Sequence, residues 1–238
     1  GLTTDRVDAA RMQTSNRALP ASDLTREGDD RTFVACGKPL SSTELKICGV
    51  DGEILDQRQV GKILIRGPSI AIGYFRAQED MRPLTDADGW LDTGDLGYWL
   101  DDEIVVTGRS KDMILWHGRN IWPQDIEWIA QKVGGRAVGK AAAFEVQDFN
   151  ESTKIVLLVE SRSQEPELRA TMTAEIAAAA RAVAGAPVSV ELVSVRTLPL
   201  TSSGKLSRAG ARNAYVADLA VQYDNANDRQ AAAAAHAL

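Results

Sequence analysis

Gly97-Tyr98-Trp99-Leu100-Asp101-Asp102-Glu103-Ile104-Val105-Val106-Thr107-Gly108-Arg109-Ser110-Lys111-Asp112 is where the chain changes character. Gly97 to Leu100 and Glu103 to Thr107 flank Asp101-Asp102, the pattern of a hairpin. Upstream, Thr43 to Cys48 reads as a strand, Asp51-Gly52 as a tight turn and Glu53-Ile54-Leu55 as its return. Gly61 to Gly67 encloses another apolar run, Ile63-Leu64-Ile65. Strands at short intervals without long helices predict a small antiparallel, barrel-like β-subdomain that ends near Gly108. Residues 1–30 are polar and read as a lead-in of loop and short helix.

Beyond Lys111 helical periods alternate with strands. Met113 to Trp116 reads as a short strand. Pro123 suits a first helical position, and Asp125 and Glu127 in the first turn suit the helix dipole. Ile126, Ile129, Ala130 and Val133 recur at helical spacing until Gly134-Gly135 stops them. Ala141 to Val146 and Lys154 to Glu160 read as paired strands around the loop Asp148 to Ser152. Glu165 to Ala184 reads as a helix with Leu168, Met172, Ile176 and Val183 on one face. Val188 to Val195 is a strand, and a helix is expected from Ser207 to about Tyr215. The expected class is therefore α+β. It comprises a β-subdomain over 1–108, a hinge at 109–111 and a mixed α+β domain over 112–215. Residues 216–238 are expected to be a tail, disordered or left from cloning.

Composition removes several classes of function. Of 238 residues, 44% are hydrophobic, enough for a buried core. The net charge of −6 argues against an extended nucleic-acid surface. Two cysteines, Cys36 and Cys48, cannot build a disulfide framework and read as small buried hydrophobes. Two histidines and no Cys-x-x-Cys leave no metal site in view. No apolar run reaches the roughly 20 residues a membrane helix needs.

Four places could carry chemistry. In Thr93-Gly94-Asp95 the carboxylate could accept hydrogen bonds from the hydroxyls of a ribose, or close an Asx-turn on its own backbone. Arg109 could offer a planar fork of donors to a ribose or phosphate, and Lys111 could be a pivot; alternatively Gly108 to Asp112 is a solvated turn. Gly118-Arg119-Asn120 leads into a helix, either as a face that approaches a ligand or as a plain connector. His117 beside it has no carboxylate partner in sequence. Lys205 follows the Thr/Ser/Gly run of Leu198-Pro199-Leu200-Thr201-Ser202-Ser203-Gly204-Lys205. It could be carried on that loop into a site made elsewhere, or stay exposed. The run does not meet the Gly-x-x-x-x-Gly-Lys-Ser/Thr pattern of a phosphate loop.

In combination these segments resemble the adenylate-forming superfamily of acyl and aryl ligases, luciferases and adenylation domains. Gly61 to Gly67 with Ile72-Gly73-Tyr74 is similar to its barrel motif, and Gly89 to Gly97 to its ribose motif. Gly108 to Asp112 is similar to its hinge motif, and Pro199 to Lys205 to its catalytic-lysine motif. Gly118-Arg119-Asn120 followed by Pro123-Gln124-Asp125-Ile126-Glu127 is most like the fatty acyl-AMP ligases. Leu200 and Asp92 stand where the family often has basic residues.

The resemblance implies a role for each site. Lys205 is the expected catalytic cation, Asp95 and Arg109 bind ATP and the adenylate, and Lys111 is the hinge. Gly118, Arg119 and Asn120 form a loop facing the acceptor. It implies ATP as substrate, with Mg2+ held by an N-terminal adenylation domain whose phosphate loop and acyl pocket are not in this sequence. The chain is therefore expected to be the C-terminal part of such an enzyme, cytoplasmic and inactive by itself. The expected partners are that N-terminal domain and an acyl carrier protein or polyketide synthase. An acyl-CoA ligase, or a module that only docks a carrier protein, is the alternative.

Overall fold

The computed structural model describes residues 2–23, 25, 30–71, 73, 83–147 and 152–219. Ile72 and Tyr74 of the expected barrel motif, most of the loop Asp148 to Ser152 and the alanine-rich tail lie outside the described residues. The chain divides into two compact units, Gly1–Met113 and Ile114–Leu238.

The first unit contains β1 (Thr4–Asp8), α1 (Ala9–Ser15), β2 (Asp30–Val34), β3 (Glu44–Cys48), β4 (Gly61–Arg66), β5 (Leu91–Leu100) and β6 (Glu103–Arg109). β3, β4, β5 and β6 form one antiparallel sheet in chain order, and β1 pairs with β2. The segment after β2 continues along the outer edge of β6, where Cys36 N–H donates to Ile104 O. Among the described residues the strands make an open sheet packed on both faces, not a closed barrel. Cross-strand partners show why. Ile47 faces Ile63 and Trp99 faces Ile104, and these join one apolar cluster with Leu45, Leu55 and Ile65. Tyr98 faces Val105 on the opposite side, meets Phe33 edge-on and donates its hydroxyl to Asp5 at 2.7 Å. Arg58 adds two contacts to the same carboxylate, at 3.0 and 3.2 Å.

Two expectations change here. The return Glu53-Ile54-Leu55 is a single bridge, Cys48 to Ile54, because Gly49 and Glu53 close the turn immediately. Cys36 is exposed while Cys48 is buried, since Cys36 lies on the sheet edge.

The second unit contains β7 (Ile114–Trp116), β8 (Arg119–Ile121), α2 (Pro123–Gly134), β9 (Val138–Gln147), β10 (Thr153–Ser161), α3 (Pro166–Ala184) and β11 (Val188–Ser194). A last helix, α4, begins at 208 and continues through 219. The sheet runs β11-β10-β9; β10 is antiparallel to β9 and parallel to β11. A parallel pair needs a crossover, and α3 supplies it. Ile155, Leu157 and Val159 of β10 pack with Ile126 and Ala130 of α2 and with Met172 and Ile176 of α3. Val156 and Leu158 point to the other face, where Ala211 and Tyr215 of α4 cover Phe144 and Val146. Both faces are covered, so β9 and β10 read as continuous apolar runs.

The buried stripe of α3 is Met172, Ile176, Ala180 and Ala184, an i, i+4 ridge. Leu168 is exposed and Val183 only half-buried, so the sequence pattern misplaced two of the four. The close approach of α2 and α3 uses alanine where the pattern sought larger side chains. Residues 216–219, expected in the tail, continue α4, because no glycine or proline interrupts it after Tyr215.

Candidate functional site

Asp95 and Arg109 are brought together within the first unit. They are direct partners across β5 and β6, and Arg109 Nε lies 2.9 Å from Asp95 Oδ1. The Asp95 side chain stays about one third exposed beside this contact. A short loop inside β5 fixes the carboxylate. Gly94 takes φ 72°, its N–H bonds Asp92 Oδ1 at 2.8 Å, and Thr93 Oγ1 donates to Ile63 O at 2.8 Å. Asp95 N–H donates to Thr93 Oγ1, and Ser110 Oγ donates to Gly94 O. The Asx-turn foreseen for Asp95 is instead made by Asp92, which leaves Asp95 pointing at a cation.

Arg109 is the last residue of β6, so it is a strand residue rather than part of a flexible link. Lys111 sits exposed in the 3-10 turn Ser110–Asp112, just ahead of the division between the units.

In the second unit, His117 and Gly118 form the two-residue turn between β7 and β8, with φ 46° and 77°. Positive φ at both positions matches the twist of a tight hairpin. Arg119 donates to Gly185 O at 3.3 Å, placing a cation at the C-terminus of α3, where the helix dipole favours it. Gly185 (φ 61°) leaves the space; an added Cβ there would lie 2.3 Å from Arg119 Nη1. Asn120 pairs with Leu115, whose N–H donates to Glu145. The hairpin carrying Gly118, Arg119 and Asn120 is thus pinned to α3 and to β9.

Lys205 closes a turn of its own. Thr201 N–H donates to Lys205 O at 2.7 Å, Gly204 N–H to Thr201 O at 2.8 Å, and Lys205 N–H to Thr201 Oγ1 at 3.1 Å. Gly204 takes φ 79°, and Leu200 bridges to Leu206. The backbone of this residue is fixed while its side chain is exposed, and its ammonium has no partner among the described residues.

Three residues around this turn had no site role of their own in the sequence reading, and Glu127, expected as a first-turn acid, lies past the first turn of α2 and is buried against Arg208. Glu127, buried on α2, accepts Arg208 Nε at 2.6 Å and Nη2 at 2.7 Å, and also accepts the Ala143 N–H. Glu160, buried on β10, accepts the N–H groups of Lys140 and Leu198, both at 3.2 Å. Glu160 sits where the β9–β10 register shifts, which frees its position from the regular ladder. Arg208 follows Lys205 by three residues, but its partner lies 81 residues away. The only sequence signal was a charged residue inside each apolar pattern.

A Caulobacter vibrioides protein provisionally described as an acyl-CoA synthetase is 40% identical over 218 residues, which is 91% of this chain and 38% of that protein. The medium-chain-fatty-acid–[acyl-carrier-protein] ligase JamA of Moorena producens is 32% identical over 217 residues, 86% of this chain and 36% of that ligase. A solved structure from work on fatty acyl-adenylate ligases of E. coli and L. pneumophila superposes with a TM-score of 0.81 at 38% identity. That match covers 93% of this chain and 39% of the other. This chain belongs to the adenylate-forming superfamily. No protein-family model matches it. It spans 27–38% of the length of the curated relatives it matches. As an adenylate-forming protein it is α+β, in agreement with the class read from its sequence.

Proposed function

We propose that the intact protein is a ligase that activates a fatty acid with ATP and passes the acyl group to the thiol of an acyl carrier protein or polyketide synthase. An oxygen of the fatty carboxylate attacks the α-phosphorus of ATP, the bond to the β-phosphate bridge breaks, and pyrophosphate leaves. Both reactants are anions, so the barrier is mainly one of charge and position. Lys205 bridges the carboxylate and the α-phosphate as negative charge gathers between them. Asp95 accepts from the ribose hydroxyls, Arg109 assists, and Lys111 is the pivot that lets the second unit exchange the Lys205 turn for the Gly118-Arg119-Asn120 hairpin. The thiol sulfur then attacks the acyl carbonyl and AMP departs.

The observation that carries this reading is an exposed ammonium, without a partner among the described residues, on a turn whose backbone is fixed. The fatty acyl-adenylate ligase likeness supports the choice of substrate class. Among the described residues no group of three or more His, Cys, Asp or Glu side chains stands ready for a metal. Magnesium therefore enters this proposal with ATP, held by an N-terminal domain, and no step is routed through it. In this reading residues 1–238 alone do not catalyse ATP–pyrophosphate exchange, because the sequence holds no phosphate loop. No described helix is long and apolar enough to cross a membrane.

Coenzyme A is the rival acceptor, favoured by the description of the Caulobacter relative. Local charge favours the carrier protein instead. Between Asp112 and Lys132 the basic residues are Arg119 and Lys132. Arg119 is spent on Gly185 O, and Lys132 lies over the Trp128 ring at 5.0 Å. Little countercharge remains there for the phosphates of coenzyme A. Incubating the intact ligase with acyl-adenylate and either a phosphopantetheinylated carrier protein or free coenzyme A separates the two. Faster thioester formation on the carrier is expected; equal or faster transfer to coenzyme A overturns the acceptor assignment.

A further inference from the structure

We propose that the buried carboxylates of Glu127 and Glu160 are positioning residues for Lys205, clamping the two ends of the segment that carries it. The proposal deepens the adenylating role given to Lys205 and rests on that reading.

The segment from Leu198 to Arg208 leaves β11 on one side and enters α4 on the other. At its upstream end, Leu198 is buried and its N–H donates to Glu160 Oε1, while Glu160 Oε2 takes the N–H of Lys140 on β9. Glu160 thus ties the incoming chain to the central sheet. At the downstream end Arg208 makes a two-point contact with Glu127, and Glu127 Oε1 is itself fixed by Ala143 N–H. The side chains of Arg208 and Glu127 are 18% and 11% exposed, so solvent screens this pair little. Two buried carboxylates that accept from neighbouring elements are a costly arrangement unless every acceptor is used. Here all four oxygens are used, and three of them bind the flanks of the lysine turn.

The clamp also has a geometric consequence. Glu127 lies on α2, the helix that β8 leads into through Trp122. The Lys205 turn and the Gly118–Asn120 hairpin are therefore both mounted on α2. When the second unit pivots, they move as one piece and Lys205 arrives at a set position. Displacement of a reacting group by about 1 Å can cost as much as a hundredfold in rate.

The test uses Glu127→Gln and Glu160→Gln. Each keeps size and replaces one acceptor oxygen with an amide that faces a donor. Amide hydrogen exchange on the 238-residue chain should speed up about tenfold at Gly204 and Lys205 while the C-terminal turn of α3 stays unchanged. In the intact ligase, kcat for adenylation should fall about tenfold or more with the KM for ATP within about twofold, and Arg208→Lys should be intermediate. If either glutamine variant does not fold, Arg208→Lys, which keeps the charge, is read in its place. Unchanged exchange in the turn, or equal acceleration in α3, overturns the clamp. Faster exchange with unchanged kcat overturns its role in positioning. A wild-type intact ligase that forms no acyl-adenylate overturns the functional reading itself, a result distinct from any of these.

Discussion

Arg109 and Asp95 are direct partners across two antiparallel strands, and one carboxylate oxygen of Asp95 lies 2.9 Å from Arg109 Nε. The pair is half-exposed, so its worth as a salt bridge is small. Its effect is to aim the carboxylate while leaving it open to solvent and to a further donor.

In the proposed ligase, Asp95→Asn keeps the shape and loses the charge that strengthens hydrogen bonds to ribose hydroxyls. Such bonds are worth roughly 1.5–3 kcal/mol. The KM for ATP should rise about tenfold or more, with a smaller change in kcat, measured by pyrophosphate release. An unchanged KM removes Asp95 from nucleotide binding.

Lys205→Ala removes a contact proposed to form as the transition state forms. The rate of acyl-adenylate formation should fall on the order of a hundredfold or more, with ATP affinity by calorimetry largely kept. A normal adenylation rate would show that this ammonium does not meet the reacting groups. The turn should survive, because its hydrogen bonds use backbone atoms and the hydroxyls of Thr201 and Ser203, not the Lys205 side chain.

Tyr98 is fully buried, and burial, followed by its hydrogen bond to Asp5, raises its pKa well above the ordinary value of 10.0. An unfolded tyrosine loses its proton near pH 10, so above that pH the folded chain holds more protons than the unfolded one. Stability from this group is complete below about pH 10 and declines as pH rises. Urea unfolding of wild type and Tyr98→Phe at about pH 8 and about pH 11 should show a smaller alkaline loss in the variant. Tyr215, also raised by burial and then by Glu191, keeps a residual slope. Equal slopes in both proteins would exclude Tyr98 as a source.

Gly185→Ala places a Cβ in a left-handed conformation (φ 61°) and against the Arg119 guanidinium. The backbone cost is about 1–2 kcal/mol. Arg119 ends in a flexible side chain that can yield, so the contact adds less. Thermal unfolding should show this loss, and Gly185→Asn should recover part of it, since asparagine tolerates this region better. Alanine as stable as glycine would mean that the cap relaxes.

Much of the fold was legible because local rules and packing agreed. The hairpin around Asp101-Asp102, the helix starting at Pro123 and the paired β9 and β10 lie within a few residues of where the sequence put them. Of the candidate site, Asp95, Arg109 and Lys205 stood out through the resemblance of their segments to the family's motifs, since residue type alone left plainer readings open, and the contact between the first two follows from strand register. Glu127, Glu160 and Arg208 were not legible as a set. Their meaning depends on a carboxylate meeting donors from strands and helices far along the chain, which no local period encodes. The alanine ridge of α3 escaped for a related reason, because alanine suits a solvent face as well as a tight interface.

The parallel pairing of β10 with β11 makes the placement of Leu198 depend on the whole of α3. The chain crosses through the whole of α3 to lay β11 beside β10, and that docking is what brings Leu198 within reach of Glu160. Without that docking, the peptide bearing Lys205 lacks its upstream anchorage at Glu160 and keeps only the tie of Arg208 to Glu127. A protease cut within α3 should therefore loosen one end of the lysine segment from a distance, without touching the turn on which it sits.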